Sequence, residues 1–167
     1  MKTFRKFIIE SSINRVNSHL KEDKTWAIIT AWRQDVDVST AKMNCATLVR
    51  DAIHEGFSVI KMSGGWDEGE GVKEEWSYMV IPYQEKPAND FDWGIAQGKL
   101  FEWCKKQCYK YNQDGFSFKE GTTDKIKIFD RHGKVLDNMV FSGTKFNMNA
   151  QYYTRLRGKP DSKFEFQ

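Results

Sequence analysis

The run Trp26-Ala27-Ile28-Ile29-Thr30-Ala31-Trp32 is the feature that most constrains how this chain folds. It is short and apolar, it is β-branched at its centre, and polar and apolar residues do not alternate along it. A strand of this composition is typical of one that is covered on both faces. The chain therefore needs other elements, helices above all, to pack against the sheet that contains this strand.

The remaining periodicity supplies those elements. We predict helices over residues 4–20, 40–55 and 91–109, and further strands over residues 57–62, 75–81, 115–118, 125–129 and 135–141. Helices and strands interleave first, and strands follow. This order predicts the α/β (α+β) class, with a single mixed β-sheet and helices packed on it.

The second predicted helix has clear end signals. Ser39 is a favoured N-cap residue, and Gly56 is a favoured stop because glycine accepts positive φ. The inner stripe predicted for this helix consists of Met43, Ala46, Val49 and Ile53.

Composition excludes several classes of protein. The 167 residues fit one domain, and 14% aromatic residues supply a real core. A net charge of +3 neither requires nor excludes nucleic acid. Three cysteines with no regular framework argue against a secreted disulfide scaffold, and the three scattered histidines complete no zinc set, so we expect no metal and no cofactor. No apolar run approaches the length that spans a bilayer, and we expect no membrane partner.

The segment 64–75 combines glycines with carboxylates, and its many glycines predict an irregular loop. Asp67, Glu68 and Glu70 are its candidate binding residues, for a divalent cation or a basic partner. A solvated acidic loop is the alternative interpretation.

The segment 142–167 is polar with interspersed aromatic residues, and we interpret it as an arm or a closing strand. Tyr152, Arg155 and Arg157 mix the two groups that stack on bases and neutralise phosphates. Nucleic acid is therefore one candidate partner, and packing of the arm on its own domain is the alternative.

Residues 1–10 are basic and apolar and end in Ile8-Ile9-Glu10, followed by Ser11. This leader resembles the capsid-targeting peptide of internal head proteins of T-even-type phages. The resemblance implies cleavage between Glu10 and Ser11 and divides the chain into a leader (1–10), an α/β domain (11–141) and the C-terminal arm (142–167). An amphipathic first helix is the alternative, since Phe4, Phe7 and Ile8 fall at helical spacing.

A second resemblance covers residues 26–135. It rests on the Ala-Ile-Ile-Thr-Ala string, the helix start 39–44, the Gly64-Gly65 pair, Glu75-x-Ser77 and Gln113. Together these resemble the bacterial and phage domain of unknown function numbered 3293. The resemblance implies an α/β domain without a known activity. It marks four polar residues that bracket apolar strands and are predicted to converge at one end of the sheet: Asn44, Glu75, Ser77 and Gln113.

Three hypotheses of function follow. The leading one is a small phage protein that is packaged in the virion head and injected to bind or inhibit a host factor. Its partners would be the phage capsid or scaffold and a host protein, and its location the virion or the host cytoplasm. The alternatives are a structural virion component without a host target, and an enzyme or binding protein that acts on a nucleotide or nucleic acid through the four polar residues.

Overall fold

The fold is taken from a computed structural model that describes residues 24–67, 72–82, 89–121, 123, 125–143, 152–156 and 163–166. The predicted first helix, over residues 4–20, lies outside this range. The described residues form two helices, α1 (Val38–His54) and α2 (Asp90–Lys110). They also form eight strands: β1 (Trp26–Ile29), β2 (Ser58–Asp67), β3 (Val72–Ile81), β4 (Gly115–Lys119), β5 (Lys125–Asp130), β6 (Val135–Gly143), β7 (Tyr152–Leu156) and β8 (Lys163–Phe166).

The eight strands join into a single sheet that closes on itself as a barrel, in the order β1-β3-β2-β7-β8-β6-β5-β4. Each described pair of neighbouring strands is antiparallel. Both helices pack on the sheet, against β1 to β4. The predicted α+β class, one sheet with helices packed on it, is confirmed, but the described strand pairs make the sheet antiparallel and not mixed.

The two faces of the sheet carry different cores. The face under the helices contributes a large aromatic and aliphatic cluster that includes Ala27, Ile29, Tyr78, Val80, Phe116, Phe118 and Phe129. The face turned away from the helices lines the barrel interior and holds a smaller cluster: Trp26, Ile28, Ile60, Met62, Met79, Ile81, Ile126 and Ile128. Strand β1 supplies residues to both clusters, which explains why its sequence is apolar without alternation.

Helix α1 begins at a different cap from the predicted one. The N-cap is Asp37, whose side chain accepts a hydrogen bond from the backbone N–H of Thr40 at 2.9 Å. Ser39 instead lies inside the first turn, so its prediction as the cap is wrong; a carboxylate two residues earlier satisfies the free N–H groups better. The predicted stop is confirmed, since Gly56 has φ +85° just after the helix.

The inner stripe of α1 also differs from the prediction. The buried residues are Ala41, Cys45, Leu48 and Ala52. Met43 and Ile53 are 63% and 60% exposed and Ala46 is exposed too, so their prediction as core residues is wrong. Val49 is partly buried against the core, as predicted. The buried stripe consists mostly of small residues, which let the helix approach the sheet closely, and small residues give a weak apolar signal in sequence.

The glycine-rich segment is regular where the structure describes it. Strand β2 continues through Gly64 and Gly65, which pair with Glu75 and Glu74 of β3 and with Thr154 and Tyr153 of β7. The prediction of an irregular loop over these residues is wrong. Backbone hydrogen bonds to a neighbour on each side hold this stretch, and such bonds need no side chain.

Helix α2 carries two of the three cysteines on the face that packs on the sheet. Cys45, Cys104 and Cys108 are free thiols and are all buried. Burial raises the pKa of the Cys104 thiol well above its usual range and that of the Cys108 thiol to about 12. Among the helices that the structure describes, none is long and apolar enough to cross a membrane.

Candidate functional site

Strand β3 gives the barrel interior a polar end and an apolar end. Alternate residues of a strand point to the same face, so Glu75, Ser77, Met79 and Ile81 all face the interior. Met79 and Ile81 belong to the buried interior cluster, whereas Glu75 and Ser77 continue the same row toward the opposite end. A row that changes from apolar to polar inside a barrel is suited to holding a small ligand at the polar end.

A cleft of about 880 Å³ opens at that polar end, and we call it the mouth cleft. Its inner wall includes Ile28, Thr30, Glu75, Ser77, Ser117 and Ile128. Its rim includes Trp32, Arg33, Asp35, Asn112, Gln113, Asp114 and Arg131. The volume is that of a site for a metabolite-sized molecule.

Glu75 is the ionisable group on the inner wall. Its side chain is half-buried. Burial disfavours the charged carboxylate and raises the pKa of Glu75 to about 8. The described residues provide no hydrogen bond or ion pair that offsets this effect. The carboxyl therefore mostly keeps its proton at neutral pH, and it is able to donate a proton or to act as a counter-ion once a cation approaches.

Ser77 lies two residues along the same row and is 3% exposed. Its hydroxyl has no hydrogen-bond partner among the described residues. A buried hydroxyl without a partner costs free energy, on the order of 1–3 kcal/mol. A ligand that hydrogen-bonds to Ser77 would recover this cost.

Hydrogen bonds position the loop after β1 at the rim. The Thr30 hydroxyl donates to the carbonyl of Trp76 at 2.6 Å and accepts from the backbone N–H of Trp32 at 2.9 Å. The Gln113 side-chain amide donates to the carbonyl of Trp32 at 2.9 Å. The indole rings of Trp32 and Trp76 pack together with their centroids 5.5 Å apart. The ring of Trp32 is thus held against Trp76 and the helix-side core, and the residue borders the cleft.

Two arginines meet at Asn112 on the rim. Arg33 donates to the backbone carbonyl of Asn112 at 2.6 Å, and Arg131 donates to its side-chain carbonyl at 2.9 Å. Asn112 follows α2 with φ 50°, a left-handed conformation that asparagine accepts better than most residues. Asp35 pairs with Arg33, and Asp114 lies 3.7 Å from Arg131. The rim therefore presents both cations and carboxylates.

The residues marked by the family resemblance are partly brought together. Glu75, Ser77 and Gln113 all line the mouth cleft. Asn44 is half-buried on α1 and is not part of the cleft lining. Gln113 contributes through its bond to the Trp32 carbonyl, which makes it a positioning residue for the rim.

The other candidate residues lie at or beyond the limits of what is described. Asp67 is the last residue of β2, where its backbone pairs with Val72. Tyr152 and Arg155 belong to β7. Five further candidates lie outside the described residues: Glu10, Ser11, Glu68, Glu70 and, at the other end of the chain, Arg157.

Several cleft residues were not singled out from the sequence, among them Arg33, Asp35, Ser117 and Arg131. Ser117 had a usable signal, because it is the polar residue between two buried phenylalanines of β4. Arg33, Asp35 and Arg131 had none, because the turns that hold them are far apart in the chain. Within the described part of the chain, no group of three or more His, Cys, Asp or Glu residues is placed to hold a metal ion.

Comparison with known proteins gives little further guidance. No family model matches the chain, and no curated protein matches it. Two solved structures are similar to parts of it: a phage SAM lyase in the apo state and a phage SAM lyase in complex with S-methyl-5′-thioadenosine. The apo structure is 13% identical to this chain, and the match covers 74% of this chain and 91% of the lyase chain, with a TM-score of 0.36. The complex is 12% identical to this chain, and the match covers 74% of this chain and 92% of the lyase chain, with a TM-score of 0.34. Similarity at this level assigns neither fold nor chemistry to this chain.

Proposed function

We propose that this protein binds one metabolite-sized organic cation in the mouth cleft, with Glu75 as the counter-ion. The observation that carries the proposal is the half-buried carboxyl of Glu75, whose pKa is raised to about 8, beside the unpartnered hydroxyl of Ser77. A cationic group placed against Glu75 favours its ionised form and lowers its pKa again. Binding at neutral pH is then coupled to the release of a proton.

The surroundings of Glu75 support a ligand of this kind. Trp32 borders the cleft, and aromatic side chains are of the kind that bind cations and flat rings. Asp35 and Asp114 on the rim favour the approach of a cation. Arg33 and Arg131 are placed to receive a carboxylate or phosphate on the same ligand. A nucleoside-like molecule with a positive centre satisfies all of these groups, in line with the hypothesis of a protein that acts on a nucleotide.

Calorimetric titration tests the proposal. The probes are S-adenosylmethionine, which carries positive centres, and S-methyl-5′-thioadenosine, which shares its adenosine and is uncharged at neutral pH. Each is titrated at pH 7 in two buffers of different ionisation enthalpy. We expect S-adenosylmethionine to bind more tightly, with release of up to about one proton per site, and the uncharged probe to bind without proton release.

Glu75→Gln is the matched variant, since it keeps the shape of the side chain and removes its charge. We expect it to abolish the proton release and to reduce the preference for the cationic probe. Choline serves as a third probe that has a cation but no nucleoside. If none of the three probes binds, or if the cation binds the variant as tightly as the wild type, the proposal is wrong.

The hypothesis of a packaged and injected phage protein remains a separate proposal. What supports it is the leader sequence of residues 1–10, which lies outside the described residues. Mass spectrometry of the protein from purified particles of its source phage tests it. A chain that starts at Ser11 would support packaging in the head and a host-directed role. Absence from particles would remove both this proposal and the structural-component alternative.

A further inference from the structure

The outer side of helix α2 carries an apolar patch near the start of the helix. Phe91 and Ile95 are 76% and 56% exposed, and a Cβ atom at Gly98 would meet no atom within 4 Å. These positions follow one another at intervals of four and three residues, so they lie on one side of the helix. Leu100 and Cys104 are buried on the opposite side, against the sheet. We call the exposed side, defined by Phe91, Ile95 and Gly98, the α2 outer patch.

A segment of the chain outside the described residues has an apolar face of matching kind. Four branched aliphatic residues recur there at intervals of four, three and four: Ile9, Ile13, Val16 and Leu20. This spacing is that of one face of an α-helix, and residues 9–20 contain neither proline nor glycine. An amphipathic helix draws most of its stability from packing its apolar face on another surface. The segment therefore needs a partner surface.

The chain enters the described fold beside the α2 outer patch. The hydroxyl of Thr25 donates to the side-chain carbonyl of Gln97 at 2.7 Å and accepts from the indole N–H of Trp93 at 3.1 Å. Both partners belong to the same turns of α2 as the patch. The five residues from Leu20 to Thr25 span at most about 17 Å, which exceeds the helix diameter of about 10 Å. Residues 9–20 are therefore within reach of the patch.

From these features we propose that residues 9–20 dock as a helix on the α2 outer patch, with their four aliphatic side chains packed against Phe91 and Ile95. Gly98 leaves room for one of these side chains. The linker of residues 21–24 holds the segment near the patch at an effective concentration on the order of mM. The segment of the same chain therefore occupies the patch in preference to a second copy at ordinary protein concentrations.

This contact is independent of the two proposals made above. It rests on the outer side of α2, and the mouth cleft plays no part in it. Cleavage after Glu10 would also leave it in place, because Ile13, Val16 and Leu20 all follow that bond.

Photo-cross-linking of the full-length protein tests the docking. Phe91→p-benzoylphenylalanine places a photoreactive ring in the patch. Tyr109→p-benzoylphenylalanine is the matched control, since Tyr109 is a 55% exposed aromatic residue near the other end of α2. We expect the probe at position 91 to cross-link to residues 9–20 of the same chain, at a yield that does not depend on protein concentration. We expect this yield to exceed that of the control by roughly fivefold or more.

Three outcomes of this experiment would overturn the proposal. Cross-links between two chains, at a yield that rises with protein concentration, would identify a second copy as the occupant of the patch. Equal yields from positions 91 and 109 would show that the segment only passes near the helix. Cross-links that miss residues 9–20 would leave the patch without the proposed occupant.

Ile13→Asp is the decisive variant, introduced into the chain that carries the probe at position 91. It puts a charge in the middle of the apolar face, whereas Ser18→Asp puts the same charge on the other side of the segment. We expect Ile13→Asp to lower the cross-link yield by roughly fivefold or more and Ser18→Asp to leave it unchanged. Near-UV circular dichroism checks that each variant is folded before irradiation. Equal yields from the two variants would contradict docking through this face.

Discussion

The carboxyl of Glu75 makes the stability of the protein depend on pH. Its pKa in the folded protein is about 8, against an ordinary value of 4.5. The folded state therefore keeps a proton that the unfolded chain loses. The stabilisation is fully present below about pH 4.5 and is lost as the pH rises to about 8.

We expect the free energy of unfolding to fall across this pH window, at a slope that approaches about 1.4 kcal/mol per pH unit and is reduced by residual solvent contact. Glu75→Gln lacks the titrating group and should lose this contribution. Chemical denaturation of both proteins at several pH values from 5 to 8.5 measures the difference. Parallel curves for the two proteins would show that Glu75 is already ionised in the fold.

The hydroxyl of Ser77 is predicted to serve ligand binding and not stability. Because the hydroxyl has no partner among the described residues, Ser77→Ala should leave the unfolding free energy unchanged or raise it by up to about 1 kcal/mol. The same variant should weaken binding of S-adenosylmethionine. Thermal unfolding measures the stability of the variant, and calorimetry measures its affinity for S-adenosylmethionine. A clear loss of stability would assign the hydroxyl a structural role.

At the level of single residues, the sequence predicts part of the mouth cleft. The spacing of Glu75 and Ser77 places both on one face of a strand, because the period of a strand is two residues. Arg33 and Arg131 meet only because Asn112 accepts a bond from each of them. Such a meeting depends on three turns that are distant in sequence, and no local pattern encodes it.

The start of helix α1 depends on one side chain. Asp37→Ala removes the acceptor for the Thr40 backbone N–H and should destabilise the protein by about 1 kcal/mol. Ser39→Ala is the matched control in the same turn, and it should change stability by less than about 0.5 kcal/mol. Urea denaturation of the two variants measures both values. Equal losses would indicate that Ser39 shares the capping role.

Strand β4 begins where the chain passes very close to β5. A Cβ atom at Gly115 would lie 2.3 Å from the backbone carbonyl oxygen of Phe129, a contact that cannot form without a shift of the backbone. Gly115→Ala should therefore cost about 1–3 kcal/mol. It should also disturb the mouth cleft, since Gly115 is one of its lining residues.

Gly94→Ala is the control for this prediction. A Cβ atom at Gly94 meets nothing within 4 Å, and the residue lies in helix α2. This substitution should stabilise the protein by about 1 kcal/mol, because alanine is the better helix former. Denaturation curves of the two alanine variants should shift in opposite directions. A shift of both in the same direction would contradict the close approach at Gly115.

The elements themselves were largely predictable, whereas their faces and ends were not. Helices α1 and α2 and strands β1 to β6 overlap the predicted ranges because periodicity is a local property, although β2 and β3 run further than predicted. The buried face of α1 was not predicted, because Cys45 and Ala52 are less apolar than the exposed Met43 and Ile53. Burial there follows from the close fit between helix and sheet, which depends on the partner as well as on the helix.

The closure of the sheet is a property of the whole molecule, and β8 completes it. β8 pairs with β6 on one side and with β7 on the other. A chain that ends at residue 156 therefore exposes one edge on each of these strands, and open edges exchange their amide hydrogens and associate with other chains.

We expect faster amide hydrogen exchange in β6 and β7 of this truncated chain, together with association at high protein concentration. Hydrogen-exchange mass spectrometry and light scattering measure the two effects. A chain that lacks only Gln167 is the control, since that residue follows β8. Unchanged exchange in the shorter chain would mean that β8 does not hold the ring closed.

The order of the strands around the ring could not be derived from the sequence. Strands β7 and β8 are short, and they insert between β2 and β6 although many residues separate them from β2 in the chain. Long-range pairings of this kind are decided by the total burial of the sheet and by the closure of loops, and not by a local pattern.

The reaction rate of the three buried thiols depends on how often the helix layer opens. A thiol reacts through its thiolate, and the Cys104 and Cys108 sulfurs are held in their protonated form between helix α2 and the sheet. An alkylating reagent in solution reaches them when the helix lifts away. The rate at which the protein gains mass in such a reagent therefore reports how often the helix opens, when alkylation is faster than reclosing.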